Sequence, residues 1–452
     1  MKPGVLIILD GIGLTKQKKG NAFALAKTPF LDSITREYGK IVLKASGTSV
    51  GLPKGFMGNS EVGHIALGAG RTVLEAMERI NQSIQNKSFF CNPAFLKAIQ
   101  NCKKNNSSLH VMGLVSDKGV HSTTKHLFAL LELCKQHQLK KVWIHFFTDG
   151  RDSKPKQALE YLKTLEREMR KKKIGKIGTV IGRFFAMDRD KRWNRTQKAF
   201  ECLVHAKGLK AQNARQAIQN AYKRKETDEF FSPTVLSGFE GIQKNDSVIF
   251  FNFRLDRQRQ LTQAMVEKKF SGFKRKRPEI VFAAFCPYYD SMNATVAFTE
   301  PNIKNSLGEV LSKKKWKQLR IAETEKYAHA TYFFNGENEK PFKGEKRKLF
   351  ASPKVKTYEK TPLMRTPAIT KHILTVLRQK KFDAIIANFA NGDMIGHTGN
   401  LKSAIKAVQG IDRCLSQIVS LVLCQKGFVI ITADHGNCES MGISFQKREK
   451  NH

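Results

Sequence analysis

No stretch of the chain approaches the run of about 18 apolar residues that a membrane span needs. The opening Met1-Lys2-Pro3-Gly4-Val5-Leu6-Ile7-Ile8-Leu9-Asp10 holds five apolar residues before a charge, too few for a signal peptide. Cysteine pairing signals are missing as well. The eight cysteines, at positions 91, 102, 134, 202, 286, 414, 424 and 438, are scattered without a C-x-x-C pair. With no secretory signal, free thiols in a reducing compartment are expected, so the chain reads as cytoplasmic with no membrane partner. Acidic residues are scarce: 39 Asp and Glu face 79 Lys and Arg, a formal net charge of +40. Such an excess raises the question of a nucleic-acid partner. The basic residues, however, lie in short runs spread over the chain, such as Lys171-Lys172-Lys173 and Lys274-Arg275-Lys276-Arg277. No aromatic–basic interleaving marks a base-stacking platform, and a solvated basic surface without nucleic acid is the expectation. Internal repeats and long low-complexity segments are also absent.

What is present is a strand–helix alternation. At 452 residues the chain exceeds what one core supports, roughly 250–300 residues, so two domains are expected. Residues 5–9 form a continuous apolar run, the mark of a strand buried on both faces of a parallel sheet. The run ends in Asp10-Gly11-Ile12-Gly13, which puts a carboxylate at the strand's carboxyl end, where open α/β sheets bind ligands. Residues 383–389 and 427–432 read the same way, and a helical period spans 401–424 between them. Residues 109–114, 142–147, 177–181 and 247–251 repeat the alternation independently. The expected architecture is α/β: residues 1–74 and 302–452 share one sheet, and 75–301 are inserted as a second α/β domain. The Lys/Gly-rich stretch 335–348 is expected to be an exposed loop.

Chemistry-bearing residues gather at these strand ends. Asp393 and His397 stand at i and i+4, where helical geometry brings both to one face. Asp434-His435 follows one apolar strand and Asp10 another. Three carboxylates and two imidazoles suit two divalent cations such as Mn²⁺. Ser60, in Met57-Gly58-Asn59-Ser60-Glu61, opens an apolar helix and has two readings: an N-cap, or a metal-activated nucleophile with helix amides to hold a phosphate. His64 reads as structural. In the inserted segment Arg151, Arg183, Arg189, Arg254 and Arg257 all follow predicted strands, and arginine forks match phosphate and carboxylate oxygens bidentately. His121 and Asp152 occupy equivalent strand ends as a hydrogen-bonding pair, Asp152 suited to take a proton from an attacking hydroxyl. Lys326 can neutralise charge on a phosphoryl group in transfer.

These segments (ILDGIGL, MGNSEVGHIALGAGR, SDKGVHS, TDGRDSKP, GRFFAMDRD, FNFRLDR, AETEKYAHATYFFNG, ANGDMIGHTGN and TADHGNCE) closely resemble the cofactor-independent phosphoglycerate mutases of the alkaline-phosphatase-like superfamily, from Val5 to about Met441. The resemblance implies a phosphatase-like domain built from both ends of the chain and a transferase-like domain between them. It implies one Mn²⁺ at Asp10, Ser60, Asp434 and His435, and a second at Asp393 and His397. His121, Arg151, Asp152, Arg183, Arg189, Arg254, Arg257 and Lys326 become the substrate ring. A monomer would convert 3-phosphoglycerate to 2-phosphoglycerate through phosphoserine, without 2,3-bisphosphoglycerate. Two departures stand out. Lys118 replaces a glycine in SDKGVHS, and the family's last metal-binding histidine has only His452 as its counterpart. The resemblance therefore carries the expectation of a C-terminally truncated chain, with an inactive relative or a polyanion- or RNA-binding protein as the alternative.

Overall fold

The computed structural model describes residues 2–441, and His452 lies outside them. Among these residues are thirteen strands. They are β1 (Gly4–Leu9), β2 (Leu109–Leu114), β3 (Val142–Thr148), β4 (Lys176–Gly182), β5 (Leu209–Ala211), β6 (Thr234–Leu236), β7 (Ser247–Phe250), β8 (Val281–Ala284), β9 (Thr295–Val296), β10 (Gln318–Glu323), β11 (Glu345–Phe350), β12 (Ala384–Phe389) and β13 (Phe428–Thr432). The chain separates into two compact units, one of residues up to Glu75 with those from Pro301, the other Ala76–Glu300.

The first unit holds a five-stranded, wholly parallel sheet in the order β11-β10-β12-β1-β13. The apolar run of β1 lies between β12 and β13 because only a strand covered on both faces can bury Val5, Ile7 and Ile8 together. Helices Thr366–Arg378 and Leu401–Cys424 cover one face and bury Ile369, Ile373, Val408, Ile411, Leu415 and Ile418. Helix Leu401–Cys424 is long and apolar enough, at mean hydropathy 1.3, to cross a membrane. Its buried stripe and its role in this core account for that composition. Asp412 on the same helix accepts hydrogen bonds from the Phe30 and Leu31 amides, capping helix Pro29–Tyr38 through a long-range contact.

Two expectations change here. Strand β13 is not buried on both faces: β1 is its one neighbour among the described residues, and Phe428 and Ile430 are half exposed. The stretch 335–348 is only partly a loop, since Glu345–Lys348 begin β11. That strand is an edge strand whose lysines Lys346 and Lys348 face solvent, a pattern that discourages further pairing. Asn335 is buried and donates to Glu345 Oε2.

The second unit holds an eight-stranded sheet, β5-β6-β4-β3-β2-β7-β8-β9, parallel except between β4 and β6. Its core is rich in phenylalanine. Phe89, Phe95, Phe285 and Phe298 pack with ring centroids 4.9–6.2 Å apart, mostly tilted or edge-on as ring quadrupoles favour.

Candidate functional site

In the first unit, the residues after β1, β10, β12 and β13 converge. Asp10 follows β1 directly, Lys326 lies three residues beyond β10, and Asp393 sits in the short helix Asn391–Gly396 after β12. Asp434 and His435 follow β13. Glycines allow the backbones to come this close. A Cβ on Gly63 would stand 2.6 Å from the Asp434 carbonyl oxygen, and one on Gly11, whose φ is +70°, 2.5 Å from Asp393 Cα.

Ser60 is the first residue of helix Ser60–Ala69 and is buried. It is not the cap: the Asn59 side chain accepts the Val62 amide at 3.1 Å, leaving the Ser60 hydroxyl free for other partners. Ser60 Oγ donates to Asp10 Oδ1 at 3.2 Å. With its single hydrogen so placed, it accepts from Lys326 Nζ at 2.6 Å and from His435 Nε2 at 2.9 Å. Two cationic donors on one hydroxyl oxygen stabilise the alkoxide a nucleophile must become.

The charges around this oxygen hold one another. Lys326 Nζ is 2.8 Å from Asp10 Oδ1 and 2.6 Å from Asp393 Oδ2. Burial would raise the Asp10 carboxyl, but the hydrogen bond from His435 and the charges of Lys326 and His435 hold it far below the usual carboxylate range. Asp393 is lowered against the same burial, by His397 and Lys326. Lys326 and His435 move the other way. Burial disfavours their charge, yet the carboxylates keep Lys326 above its ordinary value and push His435 up to about 9.

The donor set fits divalent cations. Asp10, Asp393 and His435 offer ligand atoms all within 4.8 Å of one another, as do Asp10, His64 and Asp434. Among the described residues Asp434 Oδ2 is buried and accepts no well-formed hydrogen bond, although His64 Nδ1 lies 3.2 Å away. His435 Nδ1 lies 3.0 Å from the Gly436 carbonyl, which orients Nε2 toward the carboxylates as metal-bound imidazoles are oriented. His397 is placed 3.2 Å from Asp393 Oδ1 but is largely exposed.

In the second unit, the predicted arginines gather after β3, β4 and β7. Arg183 is the centre, buried, with Nη1 donating to Asp149 Oδ1 at 2.6 Å and to Asp152 Oδ2 at 2.5 Å, and Nη2 donating to His121 Nε2 at 2.9 Å. His121 and Asp152 are therefore not a hydrogen-bonded pair. They lie 3.8 Å apart with the guanidinium bridging them. Burial, with Arg183 adding to it, lowers the His121 imidazole to about 4. Asp256 accepts from Arg189 at 2.8 Å and faces Arg254 at 3.6 Å, while Arg151 approaches Glu229 at 3.7 Å. Arg257 donates to the Met187 carbonyl at 3.3 Å. Arg151, Arg189 and Arg254 are each about half exposed, with spare donors for an anionic ligand. Lys118 fits its turn, because Gly119 takes the left-handed position at φ 70°.

Sequence reasoning missed Asp149 and Asp256. Asp149 accepts from Ser116, the Arg151 and Asp152 amides and Arg183, and so fixes the arginine that fixes the ring. Its place in Thr148-Asp149-Gly150-Arg151-Asp152, between a strand end and two ring residues, was the available signal.

Comparison with known proteins gives likeness along nearly the whole chain. A family model described as BPG-independent PGAM N-terminus matches residues 80–290. The 2,3-bisphosphoglycerate-independent phosphoglycerate mutase of Clostridium novyi (strain NT) is 49% identical over 445 residues, 97% of this chain and 87% of that protein. A protein of the same name, numbered 1, from Methanosarcina acetivorans is 51% identical over 447 residues, with the same coverage. A crystal structure of Leishmania mexicana phosphoglycerate mutase at low cobalt concentration aligns with TM-score 0.62 and 29% identity, covering 99% of this chain and 85% of that one.

Proposed function

This chain belongs to the 2,3-bisphosphoglycerate-independent phosphoglycerate mutases, and from that premise we propose that it interconverts 3-phosphoglycerate and 2-phosphoglycerate through a phosphoserine at Ser60. The observation that carries the reading is the Ser60 hydroxyl oxygen, held between Lys326 and His435 beside Asp10. The first unit is the metal-binding, alkaline-phosphatase-like domain and the second the substrate domain.

Asp10, Ser60, Asp434 and His435 would hold one divalent cation and Asp393 and His397 part of a second, and such ions supply Lewis-acid stabilisation of the serine alkoxide and the phosphoryl oxygens. Manganese is our choice of ion, and no 2,3-bisphosphoglycerate is required. The protein's own residues do the rest. Ser60 Oγ, as the alkoxide, attacks phosphorus, the bond from phosphorus to the glycerate 3-oxygen breaks as that oxygen takes a proton from Asp152, and Lys326 balances charge on the moving phosphoryl group. The glycerate 2-hydroxyl then gives its proton to Asp152 and attacks the phosphoserine, breaking the bond from phosphorus to Ser60. Arg151, Arg183, Arg189, Arg254 and Arg257, with His121, bind the acid's carboxylate and phosphate oxygens. His121 Nε2 accepts from Arg183, so its hydrogen lies on Nδ1.

A monomer in the cytoplasm is the setting we assign, consistent with eight free cysteines, most of them buried. Purified protein with Mn²⁺ is expected to form 2-phosphoglycerate from 3-phosphoglycerate without added bisphosphoglycerate, and Ser60→Ala to abolish this. Activity surviving Ser60→Ala would sink the covalent route.

A further inference from the structure

Behind the carboxylates lies a buried chain of hydrogen bonds with no role in the chemistry above. Asn388, in β12 opposite Ile8 of β1, and His64, one turn after Ser60, are both fully buried. Asn388 Nδ2 lies 2.8 Å from Asp10 Oδ2 and 2.9 Å from His64 Nε2. An amide nitrogen carries two hydrogens, so both are used, and His64 Nε2 must accept. The reverse amide orientation would set Asn388 Oδ1 against the Asp10 carboxylate. The imidazole hydrogen therefore sits on Nδ1, 2.8 Å from the Ser60 carbonyl oxygen and 3.2 Å from Asp434 Oδ2. His64 stands close enough to Asp10 and Asp434 to form a ligand trio. Its hydrogen bonds tell against that role, because neither nitrogen keeps a lone pair to give an ion. The outer side of the ring is backed by His329, 5.6 Å away in the π-helical turn His329–Phe333 that follows Lys326.

We propose that Asn388 and His64 are positioning residues forming a relay from Asp10 through Asn388 and His64 to the Ser60 backbone, which sets the nucleophile's helical turn at a fixed distance from the metal carboxylates. The relay joins three elements that no local sequence contact connects: the end of β1, the interior of β12 and the first turn of helix Ser60–Ala69. Each link is a neutral or charge-assisted hydrogen bond in a dry setting, where loss of one partner strands the other. Partners of this kind outside the ligand set commonly alter metal affinity by about 10–100-fold.

The proposal rests on the reading of Asp10 and Asp434 as metal carboxylates, so Asp10→Asn serves as the reference. Mn²⁺ affinity is read by electron paramagnetic resonance of the free ion, and ligand identity by the visible spectrum of the Co²⁺-loaded protein. Asn388→Ala and His64→Phe are each expected to weaken Mn²⁺ binding about tenfold. The double variant should bind no more weakly than the worse single variant, since both break one chain. His64→Gln, whose carbonyl can accept the Asn388 amide hydrogen, should recover most of the loss. The cobalt spectrum of Asn388→Ala should keep the wild-type pattern. Wild-type affinity in Asn388→Ala, with or without a lower melting midpoint, would overturn the relay provided Asp10→Asn binds poorly. Unchanged affinity in Asp10→Asn as well would overturn the metal reading beneath it. A cobalt spectrum altered by His64→Phe but not by Asn388→Ala would make His64 a ligand and end the proposal. Should His64→Phe fail to fold, Asn388→Ala and its spectrum decide alone.

Discussion

Replacing Lys326 with methionine removes a lysine ammonium that touches Asp10, Asp393 and Ser60 together, while keeping the length of the aliphatic stem. Its side chain is 5% exposed and those of Asp10 and Asp393 are 0% and 6%, so solvent screens the three charges poorly. Breaking a buried ion pair from one side typically costs about 3–5 kcal/mol, because the charge left behind stays desolvated. Here two carboxylates are left. For a domain of 150–250 residues that cost corresponds to a fall in melting midpoint of roughly 6–20 °C. The measurement is thermal unfolding at pH 8 with a chelator and then with excess Mn²⁺, for wild type and Lys326→Met. In chelator the variant should melt lower by that margin. Added Mn²⁺ should raise its midpoint more than it raises the wild type's, because the ion replaces the lost counter-charge in the variant but adds to an existing one in the wild type. Equal midpoints in chelator would refute the argument, since they would mean that Lys326 is not the charge balancing the pair.

Burial lowers the His126 imidazole to about 3, and its ring packs on Phe253 and Phe285. A folded-state value below the unfolded 6.5 means that the unfolded chain binds the extra proton, so stability is full above about 6.5 and drains as pH falls toward 3. At pH 5 this one group should account for about 2 kcal/mol. Urea unfolding at pH 7.5 and pH 5 should show a drop smaller by that amount in His126→Phe, and equal drops would contradict it. Asn59→Ala removes the cap that leaves Ser60 free. It should cost about 1 kcal/mol in urea unfolding and lower turnover, whereas an unaffected variant would show that the cap does not position the nucleophile.

Much of the framework is written locally. Continuous apolar runs place β1, β2 and β12, and a helical period marks Leu401–Cys424, because burial on both faces and on one stripe leave different repeats. The same rule overreached at β13, whose apolar run looks doubly buried although the strand has one neighbour among the described residues. Composition misled at Glu345–Lys348, since an edge strand can carry lysines as readily as a loop does. At the site, ligand-type residues at strand ends were legible one by one. Their mutual arrangement was not. The contact between Ser60 and His435 spans 375 positions and that between Asn388 and Asp10 spans 378, and nothing nearby in sequence encodes either. The carboxylates that orient the arginines, Asp149 and Asp256, were hidden for a related reason: an Asp beside a turn reads as a cap until its partner is seen.

The central claim is that the phosphoryl group rests on Ser60 between the two forms of the substrate. Acid quenching during turnover of ³²P-labelled 3-phosphoglycerate, followed by mass spectrometry of the peptide that carries Ser60, tests it directly. Label is expected on Ser60 in the wild type at a level that rises and decays in step with turnover, and none in Ser60→Ala. Formation of 2-phosphoglycerate at full rate with no label ever found on Ser60 would contradict it.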